Sequence, residues 1–112
     1  MISFTVRMRF DPKELDEIRK NLEALTVASR KEPGCVTYVA HFLADEPDTV
    51  LIYEQYVDDD ALDHHRGTPH FKEHAIGGLY QGMKDRHVEN LIAVALPPSR
   101  SIGQKDIDNR SL

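Results

Sequence analysis

Thr49-Val50-Leu51-Ile52-Tyr53-Glu54-Gln55-Tyr56-Val57-Asp58-Asp59-Asp60-Ala61-Leu62-Asp63-His64-His65-Arg66-Gly67-Thr68-Pro69-His70-Phe71 carries an apolar strand into two successive helix starts. Thr49 to Tyr56 reads as a strand with apolar residues on both faces: Val50, Ile52 and Tyr56 on one, Leu51 and Tyr53 on the other. Asp58 is placed to cap a short helix holding Ala61, Leu62 and His65, and Gly67-Thr68-Pro69 interrupts the helical pattern. A carboxylate, two phenols and several imidazoles thus share one short stretch, which is the raw material of acid–base chemistry.

Outward from this stretch, Ile2, Phe4, Val6, Met8 and Phe10 alternate with polar residues as a first strand. Asp11-Pro12-Lys13-Glu14 opens a helix with Leu15, Ile18, Leu22 and Leu25 on one face, and Gly34 is expected to take a left-handed conformation behind it. Cys35 to Leu43 forms a second strand with Val36, Tyr38, Ala40 and Phe42 on one side, and a turn over Asp45 to Asp48 leads back to Thr49. Beyond Pro69, a longer helix buries Phe71, Ala75 or Ile76, Leu79 and Met83, although Gly77-Gly78 weakens it by roughly 1 kcal/mol per glycine. His87 to Leu96 reads as a fourth strand that Pro97-Pro98 stops. One domain over residues 1–96 is expected, with a polar tail over 97–112 that is disordered or orders only on a partner.

The order strand–helix–strand–strand–helix–strand is the α+β, ferredoxin-like split βαβ arrangement: a four-stranded antiparallel sheet with helices on one face. Two helices cover only one face, so the second apolar face of the third strand predicts a homodimer in which two sheets close into an α/β barrel.

Composition narrows the function. At 112 residues with 40% hydrophobic and 29% charged content the chain is an ordinary soluble domain. A net charge of -5 with scattered basic residues argues against nucleic acid. The single cysteine, Cys35, rules out an intramolecular disulfide and fits a cytoplasmic protein. The alternating start at Ile2 reads as a strand and not a signal peptide, and no apolar run approaches the roughly 20 residues that span a bilayer.

His65 and Glu54 are the first candidates for proton transfer. Glu54 interrupts an apolar strand, so it needs a partner or a raised pKa, and His65 titrates near neutrality. Tyr53 and Tyr38 could donate to a bound carbonyl or phenol, although strand tyrosines are more often core. Phe42, Phe71, Leu62 and Met83 would supply an apolar wall, with His70 at its rim. His64, His65, His70 and His74 invite a metal reading, and His70 and His74 at i and i+4 would share a helix face. No His-Glu-x-x-His pattern occurs, however, so no metal and no cofactor is expected.

Glu32-Pro33-Gly34-Cys35 followed by Tyr38, then Tyr53-Glu54-Gln55-Tyr56, Ala61-Leu62, His65 and Thr68-Pro69-His70-Phe71-Lys72, resembles the antibiotic biosynthesis monooxygenase domain family from Ile2 to Leu96. The resemblance implies a dimeric α+β barrel with a pocket between sheet and helices. It implies one of several activities: cofactor-independent oxidation of quinols or polycyclic phenols by dioxygen, haem degradation, or isomerisation of a phosphorylated hydroxy-dione. The haem branch uses a tryptophan and a first-strand asparagine, and this chain has no tryptophan and no asparagine before Asn21. The isomerase branch has a similar run, mapping to Tyr53, Glu54, Asp58, His65, Thr68, Pro69 and His70. Its phosphate would call for Arg7, Arg9 or Arg66. The leading expectation is a quinol-oxidising monooxygenase with His65 as base, Glu54 as its orienter or second acceptor, and Tyr53 and Tyr38 as donors. The alternatives are the isomerase, acting on a small carbonyl substrate, and a non-enzymatic ligand-binding or stress-response dimer.

Overall fold

The computed structural model describes residues 1–95. β1 (Ile2–Arg9), α1 (Leu15–Ser29), β2 (Cys35–Phe42), β3 (Thr49–Tyr56), α2 (Asp59–Arg66), a π-helix (Phe71–Leu79) closing in an α turn (Tyr80–Gly82), and β4 (Asp85–Leu91) follow in order. The four strands form one antiparallel sheet in the order β2-β3-β1-β4, as the split βαβ reading expects.

The pleat assigns each strand residue to a face. Phe4, Val6 and Met8 of β1 lie beside Glu54, Ile52 and Val50 of β3 and meet the helices, where Ile18, Leu22 and Leu25 of α1 and Ala75 and Leu79 of the π-helix are buried against them. The Asp11 side chain accepts from the Lys13 amide at 3.1 Å ahead of α1, and Asp58 accepts from the Ala61 amide at 2.8 Å ahead of α2. On the open face, Val39, Leu51 and Tyr53 form a small apolar centre. Arg9–Asp85 at 3.0 Å, Arg7–Glu89 at 4.0 Å and Gln55–Ser3 at 2.9 Å surround it.

Several expectations change. Val36 does not share the inner side of β2: the register slips between Cys35 and Thr37, so Val36 is the extra residue of a bulge and is exposed. The bulge resets the alternation and lets Cys35 pack on the core. Gly34 does not adopt a left-handed backbone; its missing Cβ lets α2 approach, because any Cβ there would run into the Ala61 side chain. β4 starts at Asp85 rather than His87 and ends at Leu91, which pairs with Ser3 at the start of β1. Beyond it Ile92 and Val94 stand exposed. The tail over 97–112 lies outside the described residues.

The second long helix departs most. Phe71–Leu79 winds as a π-helix, so Ala75 is buried and Ile76 is exposed. Gly78 sits against the Asn21 side chain of α1, at a spacing where a Cβ would lie 2.8 Å from it. The glycine that weakens the helix thus permits close helix–helix packing.

Candidate functional site

α2 and β3 bring His65 and Glu54 together under the helical layer. His65 is 2% exposed and Glu54 6% exposed, an unusual depth for two titratable groups. His65 Nε2 lies 3.7 Å from Glu54 Oε1, and the Tyr56 hydroxyl donates to that same oxygen at 2.6 Å. On the other side of the ring, His65 Nδ1 meets Glu32 Oε2 at 2.9 Å. His70 Nε2 meets the same Glu32 oxygen at 2.6 Å. A carboxylate can only accept, so Nδ1 of His65 and Nε2 of His70 carry the protons. The neutral His65 ring then keeps its lone pair on Nε2, the nitrogen that faces Glu54.

Local structure fixes the ring. The Thr68 hydroxyl donates to the His65 carbonyl at 2.7 Å and accepts from the Phe71 amide at 3.2 Å, tying the end of α2 to the start of the π-helix. Tyr56, Phe71 and Tyr38 pack around the imidazole at centroid distances of 5.1, 5.2 and 5.9 Å. Burial dominates the electrostatics. It lowers the pKa of His65 below the usual 6.5, against the opposing pull of Glu32. It raises Glu54 to about 7, with the Tyr56 hydrogen bond and the charges of Arg66 and Arg86 pulling the other way. Burial also raises Tyr38 and Tyr56 well above their ordinary range and Cys35 to about 11, so none of the three ionises near neutrality.

A cavity of about 30 Å³ opens beside Glu54 and His65, lined also by Phe4, Leu62, Phe71, Tyr80, Arg66 and Arg86. That is room for about one water molecule. A larger cleft of about 360 Å³ runs between α1 and β2, past Tyr38, Phe42, Arg19 and Arg30. Among the described residues, Glu32, His65 and His70 are the set whose ligand atoms, all within 4.8 Å of one another, could hold a metal ion. Glu32 Oε1 is buried without a partner, yet both imidazoles already occupy the other oxygen at hydrogen-bond distance.

The structure therefore gathers His65, Glu54, Leu62 and Phe71 at one cavity, with His70 linked through Glu32 and Tyr38 packed on the ring. It does not bring Tyr53 there. Adjacent strand residues point to opposite faces, so Tyr53 stands on the open face while Glu54 points inward. Phe42 pairs with Val50 at the far end of the strand, under the Arg19 guanidinium, and lines the larger cleft. Met83 packs on the core after the α turn and is not among the cavity residues. His74 does not join His70: its Nδ1 meets Asn21 Oδ1 of α1 at 2.8 Å, while His70, which precedes the π-helix, turns to Glu32. His64 is exposed, as its place on α2 implied.

Two central residues escaped the sequence reading. Tyr56 was legible from parity, since it shares the face of Glu54 two residues away. Glu32 was not, because nothing in the spacing of a loop carboxylate indicates which histidines it will meet.

The profile of the antibiotic biosynthesis monooxygenase family matches residues 1–75 of this chain. The Mycobacterium tuberculosis protein named "Putative monooxygenase Rv0793" is 38% identical over 60 residues, and the match spans 54% of this chain and 58% of that protein. The structure of Rv0793 shares the fold, with a TM-score of 0.77 and 24% identity over 87% of this chain and 98% of that one. The crystal structure of PA3566 from Pseudomonas aeruginosa gives a TM-score of 0.76 at 26% identity, covering 84% of this chain and 94% of that one. A crystal structure described as an antibiotic biosynthesis monooxygenase gives 0.78 at 24% identity, covering 85% of this chain and the whole of that one.

Proposed function

Given that this chain belongs to the antibiotic biosynthesis monooxygenase family, we propose that it is a monooxygenase that oxidises a quinol or polycyclic phenol with dioxygen and needs no cofactor. One observation carries the reading: a buried, neutral histidine whose Nδ1 is held by Glu32 and whose Nε2 faces Glu54 beside an apolar-walled cavity. Nε2 of His65 takes the phenolic proton, and Glu32 steadies the imidazolium that results. The electron-rich phenolate then reduces dioxygen. One oxygen atom replaces a ring hydrogen and becomes a quinone carbonyl, the other leaves as water, and the substrate supplies all the electrons.

The cavity in its present form is too small for such a ring, since ligand sites run to several hundred Å³. Its outer wall is formed by side chains of the π-helix, the following α turn and β4, namely Phe71, Tyr80 and Arg86. The reading also includes a homodimer, because the apolar centre of Val39, Leu51 and Tyr53 on the open face needs cover. Sedimentation at micromolar concentration is expected to give twice the 12.8 kDa chain mass.

Oxygen uptake measured against a panel of quinols, polycyclic phenols and hydroxy-diones tests the activity. Uptake matched by quinone formation supports it; conversion of a hydroxy-dione without uptake shifts the assignment to proton transfer beside a carbonyl. That second reading has one observation in its favour: Arg66, unlike Arg7 and Arg9 on the open face, does line the cavity. Absence of turnover with every class would leave a ligand-binding dimer.

A further inference from the structure

Four arginines raise the same question: which charge does each one answer? Arg9 and Arg7 lie on the open face of the sheet and pair with Asp85 and Glu89. Arg66 and Arg86 behave differently. Among the described residues neither has a carboxylate within ion-pair distance, yet both line the cavity at Glu54 and His65.

They arrive there from separate elements. Arg66 closes α2 directly after His65, where a cation suits the helix C-terminus. Arg86 lies on β4 opposite Met8, hence on the inner face, and its guanidinium sits 5.5 Å over the Tyr80 ring. Stacking on a ring face leaves the in-plane N–H donors of a guanidinium free, and such a fork suits a carboxylate or phosphate. The remaining wall is made of Phe4, Val6, Leu62, Phe71 and Tyr80, so the cavity pairs an apolar lining with two cationic groups at one side. Both arginines are exposed at the mouth of the cavity, and their charges reach Glu54 inside it, so an anion entering there meets two cations before the buried acid–base pair.

We propose that Arg66 and Arg86 form an anion clamp, and that the substrate is an aromatic ring carrying an oxyanion substituent, a carboxylate or a phosphate ester, beside the reacting hydroxyl. The proposal rests on the cavity at His65 being the substrate site. The ring enters against Phe71 and Leu62, the substituent sits between the two guanidiniums, and its charge orients the hydroxyl toward His65 Nε2. Burial holds Glu54 up to about 7, which limits its repulsion of an incoming anion at neutral pH.

The experiment is calorimetric binding at pH 7 of 3-hydroxy-2-naphthoate and of 2-naphthol, which differ by the carboxylate alone. The wild-type protein is expected to prefer the naphthoate by at least about tenfold, the worth of one charge-assisted bidentate contact. Arg66→Met and Arg86→Met should each reduce that ratio, and the double variant should bring it near one. Arg86→Lys should restore part of it, and Arg7→Met on the open face should leave it unaltered. Millimolar inorganic phosphate displacing the naphthoate identifies the phosphate ester as the substituent, and no displacement identifies the carboxylate. Equal affinity for the two compounds, no binding of either, or a preference that survives the double variant each overturns the clamp. So does an equal loss for both compounds, which would make the guanidiniums partners of the phenolate and not of a substituent. Oxygen uptake with the naphthoate is read separately: a clamp without uptake removes the monooxygenase reading and keeps the anion site.

Discussion

The two ends of the layer between sheet and helices differ sharply, although one strand supplies the floor of both. At one end Val50 of β3 lies between Met8 and Phe42, on the side covered by the first half of α1, where Ile18 belongs to the same apolar core. Roughly 13 Å further along the same face, Glu54 lies between Phe4 and Tyr38, under His65. The first end does what a core does: Val50 and Phe10 are fully buried and nothing there titrates. The second end buries a histidine and two glutamates and leaves Glu32 Oε1 without a partner. Burying such groups costs stability that an apolar replacement would spare. A local departure from the rules of core construction, on a fold that obeys them elsewhere, is the feature on which the proposed chemistry rests.

The contrast breaks most visibly at His65. Glutamine there keeps size and hydrogen bonding but cannot take up a proton near neutrality. Turnover of the oxidised phenol is expected to fall by about 10²–10⁴, while thermal unfolding stays close to wild type. The wild-type rate should decline as pH drops through the lowered pKa of the imidazole, and His65→Gln should lose that limb. Replacing exposed His64 should do little, which makes it the control; equal losses at both positions would move the base elsewhere.

At the apolar end the same size of injury should read out differently. Ile18→Ala removes a side chain that is 4% exposed, and denaturant unfolding should show a loss of about 2–5 kcal/mol. The pH dependence of the surviving activity should not move. A shifted profile would mean that the two ends are coupled, contrary to their separation along β3.

Glu54→Gln sharpens the comparison through stability. With its pKa raised to about 7 against 4.5, the folded protein binds the Glu54 proton more tightly than the unfolded chain. Between those values the unfolded state holds fewer protons, so this group makes stability fall as pH rises. Glutamine still accepts from Tyr56 and never ionises. The variant is therefore expected to be more stable than wild type at pH 8, by about 1–3 kcal/mol, and equal to it near pH 4. His65 works with the opposite sign: its lowered pKa costs stability as pH falls below 6.5, so the two groups must be separated by variant and not by profile alone. Equal unfolding curves at pH 8 for wild type and Glu54→Gln would contradict the assigned burial cost.

The smallest effect is expected at the joint between the two histidine-bearing elements and the Glu32 loop. Gly34→Ala drives a methyl group into Ala61 and should cost about 1–2 kcal/mol, in the lower part of the range for overpacking. Because Gly34 follows Glu32 by two residues, the strain should also loosen the Glu32–His65 contact. A fall in kcat with little change in KM would show it; an unchanged kcat would mean that Glu32 adjusts freely.

The sequence by itself determined the strands, the inward face of α1, the two aspartate caps and the split βαβ order. Each of these rests on a local period or a local hydrogen bond, and such signals are complete within a few residues. It also singled out His65 and Glu54, because a carboxylate in an apolar strand and a histidine behind a capped helix are visible without knowing what they touch. Local pattern failed where a contact depends on elements distant in the chain. The bulge at Val36 reset the parity of β2, Glu32 and Asn21 drew His70 and His74 to different partners, and pairing with Arg9 started β4 at Asp85. Tyr53 went to the open face by the pleat, one residue from Glu54 on the inner face. Glu32, 33 residues from His65 in sequence yet 2.9 Å from its ring, was decided by tertiary structure alone, since only the packing of α2 over the end of β2 brings a loop carboxylate to a buried imidazole.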